Sequence, residues 1–503
     1  MQTPLYKVIS SPRESAEIRD SSRIQMDLTT LQTYQSSVIA HIAEAVSRAT
    51  EKPLAEVSMV DLKIPAIQAQ ILKDSRVDTV KLDFDREHLY VFDPKTMQTE
   101  SAKRAILNGT ILMEHTAAGE ATRLAMGTKY VITPQEVIDA IDLDHLKHAA
   151  DDAEAKKNKT LTAAQRAETH SVASGLLPIS LGVRHLMQTV LDIRKLAVEH
   201  GENLDEVVAL QIQLIVVNAQ TADQIISELE RFNFLGFSRD NVFFLVQEAM
   251  PGYVIEGGEV KLEASSVPRL HNHGAMKMQQ VMDNQIFHLS PSGEKIRLSF
   301  GEYKDKVSHL ELGISYNIED TDHIQTSALD LPAIALGLQS GEEGYGMVMT
   351  SVSQKTPPLD PQKGGFFAYS NSDDRIYCFE SDVHPGFNAP TPAADVVTAL
   401  RGITYLNKNV NMYPHPAQLL ETIKDRACDL PTHTTLKDGV LYPQPPQGDL
   451  NFLLKTRVIT EAEPKAIRSL KEQSDILDTV RAMQVQDNRQ EFVELARRYG
   501  IIA

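Results

Sequence analysis

An α/β fold, a mixed sheet flanked by helices, is expected from three stretches of this sequence. At 111–130, ILMEHTAAGEATRLAMGTKY, an apolar run from Ile111 to Met113 feeds a loop of very small residues: Thr116, Ala117, Ala118 and Gly119. At 211–218 a β-rich run is followed by a helix from Thr221 through Leu229 and then by another strand at 242–247. Such a strand–helix–strand unit of ordinary dimensions implies parallel strands. Four later strands, at 347–352, 365–369, 375–379 and 403–406, extend the sheet, with 371–374 as the turn between the second and third.

The remaining elements follow in chain order. Residues 1–30 are polar and read as a loose arm. Leu31, Tyr34, Val38, Ile39, Ile42 and Val46 then repeat at helical spacing and predict an amphipathic helix. Two short strands are expected over 77–92, with the turn at 83–87. Thr133 is placed to cap a helix, Pro134 suits its first turn, and Glu136 is placed to bond back to the cap. Residues 144–170 are alanine-rich and charged; they read as a solvated helix and loop, or as a flap over a site. Leu186, Val190, Ile193 and Leu196 mark one face of a helix that Gly201 is placed to end. From Thr460 to Ala503 the pattern is helical, suiting a packed cap or a self-association element. Three regions result: 1–100 as an N-terminal capping region, 101–410 as the chemical core, and 411–503, largely helical at its end.

Bulk properties narrow the function classes. A chain of 503 residues exceeds what one small core needs. Its net charge of −18, from 50 Lys and Arg against 68 Asp and Glu, argues against broad nucleic-acid or anionic-membrane binding. Two cysteines, Cys378 and Cys428, make no disulfide framework and lack zinc-site spacing. The stretch MQTPLYKVISSPRES has no signal-peptide core, and the most apolar run, 207–217, is interrupted by Gln211 and Gln213. These features lead to the expectation of a soluble, cytoplasmic protein.

The small-residue loop is the first candidate site. A strand ending in such a turn exposes backbone N–H groups at the carboxyl edge of an α/β sheet, where anions bind. Side chains there must be small, because the anion sits almost on the backbone. The loop also delivers two cations, Arg123 and Lys129. The order of residues from Ala117 to Leu124 resembles the Gly-Gly-x-Gly-Thr-Arg-Leu loop of UTP-dependent sugar-1-phosphate uridylyltransferases. Gly119, Thr122, Arg123 and Leu124 match it; Ala118 and Ala121 stand where the family has glycine, and Glu120 places a carboxylate in the loop.

The resemblance continues along the chain. NVFFLVQEAMP, at 241–251, is similar to the family's strand whose glutamine reads the uracil edge, which points to Gln247; an amide offers the required donor and acceptor together. Asn272-His273-Gly274 resembles the loop lying against base and ribose. The pair His271 and His273 also has metal-ligand spacing, but no supporting ligands stand nearby in the sequence. YNIEDTDHI, at 316–324, resembles the segment that holds Mg²⁺, with Asp322 the nearest match and Glu319 and Asp320 as alternatives. Lys355-Thr356 and Lys363-Gly364-Gly365 resemble the family's paired lysine motifs facing the sugar. ITYLNKNV, at 403–410, resembles its sugar-contacting segment through Asn407 and Asn409.

What the resemblance implies is a Rossmann-like, GT-A-like nucleotidyltransferase sheet over 101–410, joining UTP and a sugar 1-phosphate, glucose 1-phosphate favoured, with Mg²⁺. In that picture Arg123 and Lys129 face the pyrophosphate portion, and Lys355 or Lys363 approaches the sugar phosphate. Ala117, Ala118, Gly119, Glu120 and Thr122, with Gln247, His273 and Gly274, would bind the nucleotide. Gly364, Gly365, Asn407 and Asn409 would bind the sugar. The alanines at 118 and 121 also motivate a different class of function, a nucleotide- or UDP-sugar-binding protein without turnover.

Overall fold

Strands from across the chain line up so that both faces of one sheet are covered by helices. The computed structural model describes residues 28–64, 66–67, 86–118, 129–148, 161–247, 249–270, 272–316, 322–357, 361, 364–370, 374–380, 394–426, 434–443, 447–464 and 473–502. The helices are α1 (Leu28–Thr50), α2 (Met59–Leu62), α3 (Glu100–Leu107), α4 (Pro134–His148), α5 (Ala163–Ser174), α6 (Leu181–His200), α7 (Leu204–Leu210) and α8 (Ala222–Arg231). They continue as α9 (Asn272–Gln279), α10 (Phe300–Val307), α11 (Asp322–Gln325), α12 (Leu331–Glu342), α13 (Ala394–Gly402), α14 (Pro416–Arg426), α15 (Gln473–Asp487) and α16 (Gln490–Arg498). The strands are β1 (Tyr90–Phe92), β2 (Ile111–Thr116), β3 (Ile212–Asn218), β4 (Val242–Gln247), β5 (Ala249–Met250), β6 (Tyr253–Glu256), β7 (Glu259–Leu262), β8 (Arg269–Leu270) and β9 (Ile286–Leu289). The later strands are β10 (Lys295–Leu298), β11 (Leu312–Tyr316), β12 (Met347–Ser353), β13 (Gly365–Ser370), β14 (Arg375–Glu380), β15 (Tyr405–Pro414), β16 (Thr434–Lys437), β17 (Val440–Pro443) and β18 (Thr456–Glu461).

Among the described residues a 12-stranded sheet runs β1-β18-β12-β15-β11-β2-β3-β4-β9-β10, with the β13–β14 hairpin attached to β15. Strands β11, β2, β3 and β4 are mutually parallel, as the strand–helix–strand pattern implies. β15 lies antiparallel between β11 and β12, so the latter two point the same way. Period-2 alternation distributes the core: Ile111 and Met113 face one apolar cluster while Leu112 faces the other, and Phe244 and Phe243 divide likewise. The first cluster is roofed by α3, α6, α8, α12, α15 and α16, the second by α1, α10 and α14. This is the expected α/β architecture of a mixed sheet between helical layers.

Several local expectations are met in detail. In α1, Val38, Ile42 and Val46 are buried on one face. Thr133 and Glu136 form the reciprocal cap of α4: the Thr133 amide donates to the Glu136 carboxylate at 2.6 Å, and the Glu136 amide returns to the Thr133 hydroxyl at 3.4 Å. Gly201 ends α6 at φ +72°, a left-handed conformation that glycine adopts freely. Cys378 is buried; Cys428 lies outside the described residues. The apolar run 207–217 divides between α7 and β3, and no described helix is long and apolar enough to cross a membrane.

Other expectations are corrected. The strand expected at 403–406 begins at Tyr405 and runs on to Pro414 as β15, a ten-residue strand that β11, β12 and β13 pair. Thr460 is not helical: it sits in β18, which β12 and β1 hold in parallel register; helix is described from Gln473, and residues 465–472 lie outside the described residues. Of the two strands expected over 77–92, the second exists as β1; residues 77–85 lie outside the described residues, as do 1–27, 149–160 and 371–373.

A buried ion pair pins the layers together. Glu114, in β2, accepts from Lys277 Nζ at 2.6 Å, Gln280 Nε2 at 2.7 Å and Ser315 Oγ at 2.8 Å. The Lys277 ammonium also lies 4.6 Å from the centroid of the Tyr413 ring. With side chains only 2% and 3% exposed, neither charge has water to fall back on. Lys277→Met is therefore expected to destabilise the fold by about 3–5 kcal/mol in urea denaturation, because it strands a buried carboxylate. A change of under about 1 kcal/mol would mean the carboxylate is already solvated or neutral.

Candidate functional site

Four parallel strands deliver their carboxyl ends to one edge, and polar side chains stitch those ends together. Thr116, the last residue of β2, donates its hydroxyl to the Tyr316 carbonyl at the end of β11, 2.9 Å away. The Asn218 amide at the end of β3 donates to the Ala118 carbonyl at 3.0 Å. Its Oδ1 meanwhile accepts from the amides of Gln220 and Thr221 and from the Thr221 hydroxyl. Asn218 pairs in register with Gln247, which is 5% exposed at the end of β4. Ala117, Ala118, Gln247 and Tyr316 thus share one edge, the position where open α/β sheets bind ligands. Thr221 stands at the N-cap of α8 without accepting a backbone bond; Asn218 does the capping work from the strand.

Of the anion cradle expected from residue 117 onward, the first amide is taken up by the sheet. The Ala117 amide donates to the Val216 carbonyl at 2.8 Å and so belongs to the sheet. Ala117 and Ala118 are 2% and 4% exposed, with their methyl groups in opposite core clusters. Small residues are needed there for packing between layers as much as for a ligand. Gly119, Glu120, Thr122 and Arg123 lie outside the described residues. Where the chain returns, Lys129 is half-buried at the start of a single 3-10 turn, and Tyr130 is wedged onto α6. A Cβ at Gly182 would stand 2.3 Å from the Tyr130 ring, so the glycine is what admits it. A glycine inside an apolar helical run was the available clue to this contact.

The second strand group brings the sugar-side candidates to the same edge. β12 ends at Ser353, and Lys355 beyond it donates to Asp475 of α15 at 3.4 Å. Gly364 and Gly365 open β13, whose Phe366 pairs with Leu406 of β15. Asn407 is 5% exposed; its Oδ1 accepts the Asn409 amide at 2.9 Å and its Nδ2 lies 3.7 Å from Cys378 Sγ. That amide supports a bulge in β15 opposite β12, which leaves Asn409 half-buried at φ +60°. Lys363 lies outside the described residues.

His273 and Gly274 are not in a loop: they form the first turn of α9, which Lys277 and Gln280 tie to Glu114. Asp322 opens α11 after β11; the side chains of His273 and Asp322 lie outside the described residues, as do Glu319, Asp320 and His271. Asp192 fastens the segment after α11 by accepting from Ser327 Oγ and the amides of Ala328 and Leu329, and burial raises its pKa.

Sequence reasoning missed a packed group of rings beneath this edge. His115, His185 and His323 surround Tyr316, with centroids 5.1 Å apart for His115–His185 and 5.4 Å for His185–His323. His115 Nε2 lies 2.8 Å from Gln213 Oε1. Among the described residues no group of three or more His, Cys, Asp or Glu is arranged to hold a metal. Burial instead keeps His115 and His185 neutral: it depresses His115 to about 4 and His185 well below its ordinary value. They come from three distant segments, so no local spacing announces them.

No family model matches this sequence, and no curated protein matches it. A structural relative is the uridine diphosphate N-acetylglucosamine pyrophosphorylase from Trypanosoma brucei, solved in complex with an inhibitor. It aligns over 91% of this chain and 84% of its own, at 13% identity and a TM-score of 0.53. The two chains share a fold. A UDP-glucose pyrophosphorylase variant from Leishmania major, solved in complex with UDP-glucose, covers 86% of this chain and 78% of its own at 14% identity and a TM-score of 0.48.

The neutral histidines carry a pH signature. Unfolding lets them bind protons below their ordinary value of 6.5, so their stabilisation is complete above that pH and is lost as pH falls toward about 4. Glu228, pushed up to about 6 by burial, acts in the opposite sense as pH rises from 4.5. Comparison with His185→Phe separates the two. The variant is expected to lose less stability than the natural chain between about pH 7 and pH 5, by up to roughly 1.4 kcal/mol per unit. Identical pH slopes for the two proteins in urea titrations would show that His185 is not buried in neutral form.

Proposed function

We propose that this protein is a nucleotidyltransferase that joins UTP and a sugar 1-phosphate, with glucose 1-phosphate favoured, to give a UDP-sugar and pyrophosphate. The observation that carries the reading is convergence. Ala118, Gln247, Lys355, Gly365 and Asn409, named in the sequence for their resemblance to one enzyme family, come from strands that end or begin at a single sheet edge. The fold shared with a UDP-N-acetylglucosamine pyrophosphorylase supports the same reading.

In this reaction an oxygen of the sugar phosphate attacks the α-phosphorus of UTP, the bond to the β-phosphate bridge breaks, and pyrophosphate leaves with the electron pair. Such a transfer asks the protein for alignment and charge neutralisation. Gln247 orients the uracil through its paired donor and acceptor, with His273 and Gly274 beside the nucleoside. Gly119, Glu120 and Thr122 form the triphosphate loop, entered from Ala118, and Arg123 and Lys129 neutralise the leaving pyrophosphate. Lys355 and Lys363 receive the sugar phosphate, and Gly364, Gly365 and Asn409 line the sugar. Asn407 acts indirectly, by shaping the bulge that presents Asn409.

The carboxylates of Glu319, Asp320 and Asp322, in the connection leaving the carboxyl end of β11, are hard oxygen donors of the kind Mg²⁺ takes. Asp322 is the residue we assign to it. When bound, the ion would neutralise phosphate oxygens.

A second reading is favoured by the burial of Ala117 and Ala118 and by the use of the Ala117 amide within the sheet: a UDP-sugar-binding protein without turnover. The purified chain with UTP, Mg²⁺ and glucose 1-phosphate is expected to release pyrophosphate, and Arg123→Ala should lower turnover by about a hundredfold or more. Absence of turnover with any hexose 1-phosphate would sink the first reading. UDP-glucose raising the melting temperature without pyrophosphate exchange would establish the second.

A further inference from the structure

We infer that Asp475 is a positioning residue: from the first turn of α15 it holds the Lys355 ammonium at the sugar-phosphate side of the site. The inference rests on the functional reading above, since it takes Lys355 as the group that meets the sugar phosphate.

Asp475 and Lys355 are 3.4 Å apart, with side chains only 14% and 16% exposed, so the pair is partly withdrawn from solvent. An unrestrained lysine samples many rotamers, and freezing it costs side-chain entropy. A sheltered carboxylate fixed on a rigid helix removes much of that cost before any ligand arrives.

The helix is fixed at its far end by a buried guanidinium. Arg184, wholly inaccessible in α6, donates to both Asp487 oxygens at 2.5 and 3.1 Å, to Gln486 at 3.2 Å, and to the carbonyls of Leu177 and Ile179. Between these ends Ile476, Leu477, Val480 and Met483 are buried in the core. Just past α15, Arg489 donates to the Ile324 carbonyl at 3.2 Å and to Gln188 Oε1. Ile324 is in α11, the helix that Asp322 opens. One rigid element thus touches both the segment after β12 and the segment after β11. Those strands are separated by β15 alone, about 10 Å apart, while a 15-residue helix spans about 22 Å.

Steady-state kinetics with UTP and glucose 1-phosphate test the assignment in the natural chain, Asp475→Asn, Asp475→Glu, Lys355→Met and the double variant Asp475→Asn/Lys355→Met. Asp475→Asn should raise KM for glucose 1-phosphate about tenfold and leave KM for UTP within about twofold. Asp475→Glu should restore most of the loss, and Asp475→Asn should add nothing once Lys355 is Met. An unchanged glucose 1-phosphate KM in folded Asp475→Asn, an equal rise for both substrates, or additive losses in the double variant would overturn the inference while the enzyme reading stands. A natural chain that neither turns over nor gains thermal stability from UDP-glucose would overturn both.

Discussion

Because helices cover both faces of β11, β2, β3 and β4, those parallel strands can offer a ligand only their ends, not their faces. Everything proposed for this chain follows from that constraint. Parallel register aligns Tyr316, Thr116, Asn218 and Gln247 along one boundary, although they are drawn from segments up to 200 residues apart. Short polar side chains then close the gaps between strand ends. Asn218 alone reaches the Ala118 carbonyl on one side and caps the turn into α8 on the other.

Two kinds of polar burial lie beneath that boundary, one on each face of β2. On one face Glu114 is ionically matched to Lys277 and hydrogen-bonded to Gln280 and Ser315, which ties α9 and β11 to β2. On the other, His115 joins rings from α6 and α11 around Tyr316, with burial holding His115 and His185 neutral. The first arrangement resists displacement through charge, since loss of either partner leaves an ion in a low-dielectric interior. The second holds α11 through ring packing that is sensitive to acid. Adjacent residues of one strand therefore brace α9 and α11 by different physics.

The terminal helices complete the edge. Arg184 anchors α15 by three hydrogen bonds to Gln486 and Asp487, and the same helix presents Asp475 to Lys355. A region whose sequence shows only helical periodicity is thereby joined to the chemistry proposed for β12.

The sequence by itself determined those features whose physical cause is local. The period-3.6 stripe of α1, the capping box of Thr133 and Glu136, the left-handed stop at Gly201 and the parallel β3–α8–β4 unit all depend on residues within a few turns of one another. The order of motifs from 112 to 410 likewise announced which residues to look for at the edge. Tertiary structure alone decided what depends on partners far away in the chain. It extended β15 through asparagines by pairing it on both sides, drew Thr460 into a strand because β12 and β1 offered open backbone, and assigned the Ala117 amide to the sheet. It also placed His115, His185 and His323 in contact and set Asp475 beside Lys355. Charge and ring contacts between segments hundreds of residues apart leave no periodicity to read; they exist only once the sheet register has brought those segments together.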